Sequence, residues 1–311
     1  MQEDKTWLAA HLYYAEPWEE FLSKAVSPFV QKVFAGKLAS SFFFIRYWEK
    51  GPHIRLRFKS QQGEQQQKLK AFLLKHFETY YKKNPSRYEY EKDWNKLAKQ
   101  QQWYPNNSVQ FIAYEPEFER YGGSVGMSIS QSYFQSSSKA VLSAINETDE
   151  WNYDRALGMA IQMHLGFAHA MGMGIKKAGL FYAHVFKAWF HSAYSDDEKV
   201  TKKENIKRQK QTLKIFETNF QRQKEVLIPF HQMMWTALKK KTAFDQEWMN
   251  DWINENSLVN EKMCRLQKNK LKRWSIYESY VHMSNNRIGI MNQDEAYLGY
   301  LIKRSLESIK S

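Results

Sequence analysis

One stretch near the start of the chain constrains the fold more than any other. It consists of an aromatic run, Ser41–Tyr47, and a second run that follows Gly51-Pro52. In the second run apolar residues alternate with cationic ones, which are His53, Arg55 and Arg57. Because side chains on a strand point alternately to opposite faces, this spacing predicts a strand with one apolar and one cationic face. The Gly-Pro pair is a strong turn signal, so the sequence predicts a β-hairpin.

The cationic face of this hairpin allows two interpretations. Arginine presents a planar fork of donors that matches carboxylate and phosphate groups, so the face could bind an anion. Alternatively, it could be an ordinary half-solvated hairpin whose arginines simply face water. The pattern by itself leaves both open.

Length and charge limit the class of protein. A chain of 311 residues can bury a large core as one domain or as two lobes. The formal net charge of +13 points to an acidic partner, which could be nucleic acid, an acidic peptide or an acidic protein subunit. The charge does not choose among these partners.

Cysteine usage and the N-terminal sequence indicate a compartment. The single cysteine, Cys264, excludes an intrachain disulfide and a cysteine-rich zinc site, and is compatible with a reducing environment. The first residues, Met1–Lys5, lack the basic and then apolar pattern of a signal peptide. The chain has no run of 18 or more apolar residues, the length expected of a membrane span. We therefore predict a soluble, cytoplasmic protein.

Periodicity along the chain predicts an α+β fold, with a mainly antiparallel sheet, flanking helices and a helix-rich second half. Strands are expected at Trp7–Tyr14, at the two arms of the hairpin, and at Phe111–Tyr114. Residues 84–107 are expected to form a loop or short strand. Helices are expected at Glu16–Val33, Gly63–Lys83, Tyr133–Ile145, Asp154–Met173, Leu180–Ala193, Trp235–Leu238 and Asp294–Ile309.

The segment Lys199–Lys224 is strongly basic. It contains nine Lys and Arg residues against two acids, Glu204 and Glu217, with apolar residues interspersed. It could be a long solvated helix that covers its neighbour with a thin apolar stripe. It could also be a docking surface for RNA or for an acidic partner.

Two histidines within a predicted buried helix, His164 and His169, are candidates for a metal site. Their five-residue spacing does not place them as adjacent ligands on one helix face. We therefore predict that both are structural.

Three separated motifs together indicate a family. They are Phe-Phe-Ile-Arg-Tyr with Gly-Pro-His-Ile-Arg-Leu-Arg-Phe in the hairpin, Tyr-Glu-Pro-Glu-Phe-Glu-Arg-Tyr-Gly-Gly from residue 114, and His-Met-Ser-Asn-Asn-Arg from residue 282. In that order they resemble the glutamate-elimination domain of class I lantibiotic dehydratases, also known as the thiopeptide-type bacteriocin biosynthesis domain. The resemblance spans nearly the whole chain, so we expect one such domain over residues 1–311, with two interlocked lobes as the alternative.

The resemblance implies a lyase. In this family a partner enzyme glutamylates Ser or Thr of a precursor peptide with glutamyl-tRNA, and the elimination domain then expels glutamate to leave dehydroalanine or dehydrobutyrine. Other stand-alone members assemble the pyridine ring of thiopeptides by a formal [4+2] cycloaddition. The sequence shows no counterpart of the glutamylation domain, so we expect a stand-alone, split version.

The motifs assign roles to particular residues. By resemblance, the catalytic arginines fall at Arg120 and at Arg55 or Arg57, and the catalytic histidine falls at His282. We place His282 at the end of a β-prone stretch, Tyr277–Val281, before a turn. We predict that five other motif residues bind the substrate: Arg46, His53, Tyr121, Asn286 and Arg287.

The same resemblance implies the partners. They are the glutamylated precursor peptide with its leader and a separate glutamylation subunit, with a homodimer left open; tRNA would be contacted only indirectly, and no membrane is involved. No metal or organic cofactor is required by this scheme. A rival of another class is a non-catalytic subunit whose basic surface recruits tRNA or the peptide to a partner enzyme.

Overall fold

A computed structural model describes residues 4–87, 102–148, 150–195 and 201–309 of the chain. The chain divides into two compact units, residues 1–151 and 152–311. The first unit contains the sheet and the second is helical, which confirms the α+β fold with a helix-rich second half. Among the described residues, no helix is long and apolar enough to cross a membrane.

The first unit is built on an antiparallel sheet with the strand order β2-β3-β1-β4. Its strands are β1 (Trp7–Tyr13), β2 (Ser41–Tyr47), β3 (His53–Lys59) and β4 (Ser108–Phe111). The predicted hairpin is confirmed, with β2 and β3 paired along their whole length. Its turn requires a glycine, because Gly51 has φ near 107°, a conformation that other residues resist.

Helices cover the apolar face of the sheet. They are a helical segment made of α1 (Trp18–Phe21), a π-helical turn (Leu22–Val26) and α2 (Ser27–Ala35), and then α3 (Glu64–Lys83). Helix α4 (Gly123–Asn146) lies instead along the edge strand β2, where Gln135 and Ser138 accept hydrogen bonds from the backbone amides of Phe42 and Phe44. Phe29 of α2 contacts Phe58 of the sheet and Phe77 of α3, with ring centroids 5.7 and 5.2 Å apart. The alternation in β3 is thus confirmed, since its apolar side chains are the ones that this layer buries.

Two predictions for this unit need correction. The strand predicted at Phe111–Tyr114 ends instead at Phe111, because the chain then leaves the ladder and Tyr114 packs edge-on against Phe43. Helix α4 begins ten residues before the predicted Tyr133. Its apolar period is masked by buried serines, such as Ser138, whose hydroxyls bond to carbonyls of the preceding turn. Part of the predicted 84–107 segment, residues 88–101, lies outside the described residues.

The second unit contains the remaining helices of the described chain. They are α5 (Tyr153–Ala170), α6 (Ile175–Ser195), α7 (Lys202–Lys240), α8 (Glu247–Leu266), α9 (Lys270–Ile288) and α10 (Asn292–Ser308). The helices predicted near α5, α6 and α10 are confirmed to within a few residues at most ends. Residues 202–224 of the basic segment and the short helix predicted at Trp235–Leu238 belong to one continuous helix, α7, which passes through Pro229.

The stretch around His282 is a helix and not the predicted end of a strand. Helix α9 begins after Asn269, whose side chain accepts hydrogen bonds from two backbone amides, and it ends at Gly289 in the left-handed conformation. Tyr277, Tyr280 and Val281 are buried at helical spacing on one face. Tertiary burial of this face outweighs the β-propensity of the individual residues.

Candidate active site

The cationic face of the sheet in the first unit gathers most of the predicted arginines and histidines. On β3, the residues of this face are His53, Arg55 and Arg57. The β1 partners of the first two are Tyr13 and His11. The same register places Tyr47 of β2 beside His53 and Gln110 of β4 beside His11.

Arg57 is the cation of this face that lacks an anionic partner. Its guanidinium carbon lies 4.4 Å from the ring centroid of Tyr114 and 5.2 Å from that of Phe43. Its Nε is buried without a hydrogen-bond acceptor, and no carboxylate of the described residues lies within ion-pair distance. Burial lowers the pKa of Arg57 to about 10, which leaves the group protonated at neutral pH. An external carboxylate could therefore supply the missing partner.

Arg55 is held more firmly by its own unit. Its guanidinium lies 3.5 Å from the ring centroid of Tyr47, and its Nη2 lies 3.5 Å from Glu49 Oε2. Its Nε donates to His53 Nε2 at 3.2 Å. The structure thus distinguishes the two arginines of the Arg-Leu-Arg motif by their partners.

Two stacked histidines lie beside these arginines. His53 is buried, its Nδ1 donates to the Gly51 carbonyl at 2.8 Å, and its ring stacks on that of His11 at 4.9 Å. Burial and the nearby cations lower the pKa of His11 to about 2 and that of His53 to about 4. Both rings are therefore neutral at neutral pH. The three motifs do not include His11, although its position between the apolar Ala10 and Leu12 would mark this face.

Arg46 does not join this group. It occupies the alternate face of β2 and is buried there, with its Nη1 2.6 Å from Glu19 Oε1 and its guanidinium 5.8 Å from the Trp18 ring. The pairing register explains the separation, because Arg46 lies opposite Ile54, whose side chain points into the core.

Arg120 and Tyr121 precede a sharp bend at the start of α4. Gly122 and Gly123 both have positive φ, 84° and 85°, and the amide of Gly123 donates to the Phe118 carbonyl. Tyr121 is buried, whereas Arg120 is about one-third exposed and its Nη1 lies 3.5 Å from Glu117 Oε1. Glu117 also raises the pKa of Arg57, against the larger lowering by burial, which links this bend electrostatically to the sheet face.

His282 lies in the second unit, within α9. Its Nδ1 lies 2.8 Å from Glu295 Oε1, and its ring stacks on Trp189 of α6 with centroids 4.4 Å apart and an interplanar angle of 20°. Glu295, in the first turn of α10, is only 1% exposed. The turn at Gly289 brings the two together, because it reverses the chain between α9 and α10.

The hydrogen bonds continue beyond this pair. Asn285 donates from Nδ2 to Glu295 Oε2 at 3.1 Å and accepts at Oδ1 from His164 Nε2 at 2.8 Å. Burial lowers the pKa of His164 to about 4, so it is a neutral donor here. Asn285, which was not among the predicted site residues, thus contacts the His282–Glu295 pair through Glu295.

Arg287, the last residue of the third motif, is fully buried in α9. Its Nη1 donates to the Met283 carbonyl at 2.7 Å, one turn earlier in the helix. Asn286, beside it, is half-buried.

Two cavities lie among the described residues. One of about 550 Å³ in the second unit is lined partly by His169, Lys241 and Asn254. One of about 520 Å³ in the first unit adjoins Trp7 and Phe111. No cluster of three His, Cys, Asp or Glu residues in the described chain could hold a metal ion. The chemistry available is anion binding by the sheet face and proton transfer by His282.

Comparison with known proteins decides the family. Residues 7–306 match the family described as lantibiotic biosynthesis dehydratase C-term. The chain belongs to this family. The resemblance inferred from the three motifs is thereby confirmed. No curated protein sequence matches this lantibiotic dehydratase C-terminal chain significantly.

Solved structures share the fold over almost the whole chain. The pyridine synthase TbtD, from thiomuracin biosynthesis, superposes with a TM-score of 0.76 at 13% identity, covering 98% of this chain and 99% of TbtD. TsrL superposes with a TM-score of 0.64 at 15% identity, covering 97% and 94%.

The tRNA dependent lantibiotic dehydratase MibB from Microbispora sp. 107891 superposes with a TM-score of 0.58 at 17% identity. That match covers 98% of this chain but 28% of MibB, so the chain corresponds to little more than a quarter of the longer protein. At these identities the similarity establishes the fold of the lantibiotic dehydratase C-terminal family and does not choose among reactions.

Proposed function

We propose that this chain eliminates glutamate from glutamylated Ser or Thr residues of a ribosomally made precursor peptide. Membership of the dehydratase C-terminal family supports this reaction class. The observation that carries the proposal is the protonated, half-buried guanidinium of Arg57, which has no carboxylate partner among the described residues. A glutamyl group supplies such a carboxylate.

The elimination requires anion binding and proton transfer. A base removes the Cα proton, the electron pair of the Cα–H bond becomes the Cα=Cβ bond, and the Cβ–O bond breaks to release glutamate as its carboxylate. Arg57, helped by Arg55 and Arg120, binds the glutamyl carboxylate and stabilises the negative charge that develops. His282 transfers the proton, a task to which imidazole is suited.

The rival within the same fold is pyridine formation, the activity named for TbtD. A cycloaddition between two dehydroalanine units expels no carboxylate from the reacting atoms. It therefore develops little negative charge for the clustered arginines to neutralise. Elimination of glutamate creates one full negative charge on the leaving group. The cationic face of β3 therefore favours elimination.

The test is to present the wild-type protein with three synthetic peptides of one sequence. The first carries a glutamyl ester on a serine, the second carries the uncharged glutaminyl ester, and the third carries dehydroalanines and azoles suited to ring formation. We expect mass spectrometry to show loss of glutamic acid from the first peptide. The second should react at least about tenfold more slowly, since it lacks the carboxylate that an arginine would bind.

Two results would overturn the proposal. Conversion of the third peptide with no reaction of the first would identify a pyridine synthase. Tight binding of the glutamylated peptide without any conversion, also when the glutamylating partner enzyme is added, would identify a non-catalytic recruiting subunit.

A further inference from the structure

Glu295 is a buried carboxylate to which the motifs assign no role. It is 1% exposed, and its two oxygens accept separate hydrogen bonds, from His282 Nδ1 at 2.8 Å and from Asn285 Nδ2 at 3.1 Å. His282 is its only ion-pair partner within the described part of the chain. Burying a carboxylate is costly unless it is paired and hydrogen-bonded, so this arrangement needs an explanation.

The hydrogen bonds around Glu295 are all oriented so that Glu295 is the final acceptor. His164 donates to Asn285 Oδ1, which turns the Asn285 amide group toward Glu295. With both Glu295 oxygens accepting, the proton shared with His282 belongs to Nδ1. Nε2 of His282 then carries the lone pair, and within the described residues it has no hydrogen-bond partner.

The orientation of the His282 ring is also restricted by a stacking contact. Trp189 stacks on it at 4.4 Å, nearly parallel, and leaves the side chain 20% exposed. Together, the stacking and the Nδ1 hydrogen bond restrict both the orientation and the tautomer of the imidazole. A histidine paired in this way with a carboxylate is prepared to take up a proton at Nε2.

We infer that Glu295 is a positioning residue that fixes His282 as the Nδ1–H tautomer and balances the positive charge when Nε2 takes the Cα proton. This inference rests on the proposed elimination. In that step the Cα–H bond breaks and an Nε2–H bond forms, while the Cβ–O bond breaks and glutamate leaves as a carboxylate. Nε2 returns its proton to solvent before the next turnover.

The experiment combines kinetics with nitrogen NMR of the full chain. Glu295→Gln keeps the size of the side chain but removes the charge and can present a donor to Nδ1. We expect kcat for the glutamyl ester peptide to fall by about 10²-fold with KM changed less than about threefold, since carboxylates that orient a histidine contribute on this scale. Glu295→Asp should recover part of the loss.

The matched control is Asp294→Asn. Asp294 is the neighbouring acid in the same turn, and its Oδ2 accepts from Tyr153 Oη at 2.5 Å without contacting His282. The variant should keep the wild-type kcat. It removes one negative charge from the same end of α10, so it separates a general effect of charge from the specific contact.

The NMR measurement does not depend on elimination activity. Nitrogen shifts of His282, identified by their absence from His282→Gln, should report the Nδ1–H tautomer in the wild-type protein at neutral pH. An Nε2–H tautomer in the wild-type protein, or an unchanged kcat in a folded Glu295→Gln variant, would overturn the inference. If the wild-type protein eliminates nothing but Glu295→Gln changes the tautomer, the proposed elimination fails while the positioning role of Glu295 is upheld.

Discussion

The two regions that carry the candidate chemistry differ in how their charge is balanced. On the sheet of the first unit, Arg57 is a protonated cation whose neighbours are aromatic rings, and no carboxylate of the described residues pairs with it. In the second unit, His282 has a buried carboxylate, Glu295, at 2.8 Å. Among the described residues, Arg57 has no carboxylate in an ion pair with it, whereas His282 has one.

This difference indicates different tasks. A buried cation without a partner is unfavourable in the free protein, and an arriving carboxylate would relieve that cost. A histidine that already has its carboxylate gains less from an external anion and is arranged instead to exchange a proton. Mutation of Arg57 is thus expected to change mainly the affinity for the substrate, and mutation of His282 mainly the rate of proton transfer.

The largest effect is expected from His282→Ala. Loss of the proton-transfer group should lower kcat for elimination by about 10²–10⁴-fold, with the affinity for the glutamylated peptide retained, because binding is assigned mainly to the arginines. Rates are measured by mass spectrometry of a glutamyl ester peptide, and affinity by titration of the same peptide. A wild-type rate of dehydration in His282→Ala would remove His282 from the mechanism.

A control for this change is present in the same unit. His184 also pairs with an acid, since its Nε2 lies 2.9 Å from Glu278 Oε2, but it is about 40% exposed and belongs to no motif. His184→Ala should retain wild-type kcat. Equal losses in the two variants would point to disturbed folding of the helices and not to chemistry at His282.

A smaller effect, mainly on binding, is expected from Arg57→Lys. Lysine keeps the charge but loses the planar fork, so KM for the glutamyl peptide should rise by about 10- to 100-fold, the equivalent of one or two charged hydrogen bonds. Arg55→Lys should cost less, because Arg55 is already engaged by Glu49 and Tyr47. The opposite ranking would show that the motif arginine that binds the carboxylate is Arg55.

The same two regions show what sequence patterns can predict. The strict alternation in β3 predicted both the strand and the face on which each side chain lies, because a period of two residues fits a strand and not a helix. Around His282 the residues Tyr277–Val281 favour strands individually, but their spacing does not alternate, and burial of one helical face decided the outcome. The β-propensity of single residues, without an alternating period, was therefore a misleading guide to the secondary structure of this stretch.

The partners of the predicted residues were harder to foresee. Glu295 stands in the first turn of a helix, where acids are common because they interact favourably with the helix dipole, and nothing in the sequence signals that it is buried. His11 could have been recognised from the alternation of β1, but its neighbour Arg55 follows only from the pairing register. Contacts between distant elements were not accessible from local pattern.

A weaker effect is expected from Arg120→Lys. Arg120 is about one-third exposed and already contacts Glu117, so water and that acid screen its charge. Loss of the fork should slow elimination by about tenfold, and glutamylated peptide should accumulate when the partner enzyme is present. Wild-type rates in both Arg120→Lys and Arg120→Ala would exclude it from carboxylate binding.

The smallest effect on chemistry is expected at the basic N-terminal half of α7. Its two acids have internal roles: Glu204 completes a capping box with Thr201, and Glu217 binds Arg304 of α10. The Lys and Arg residues of this half are mostly exposed and outnumber its two acids, which favours docking of an acidic partner over a purely structural role. Four of them are replaced by Gln together: Lys203, Lys207, Arg208 and Lys210.

The replacement should weaken binding of the acidic partner at low salt and flatten its salt dependence, because exposed charges act chiefly on encounter and are screened by ions. Single-turnover elimination should stay at the wild-type rate. The control removes the same formal charge from exposed lysines of the first unit: Lys32, Lys75, Lys82 and Lys83. If both variants lose affinity equally, net charge and not the α7 surface governs docking, and if only the α7 variant loses the chemical step, the surface belongs to the site of reaction.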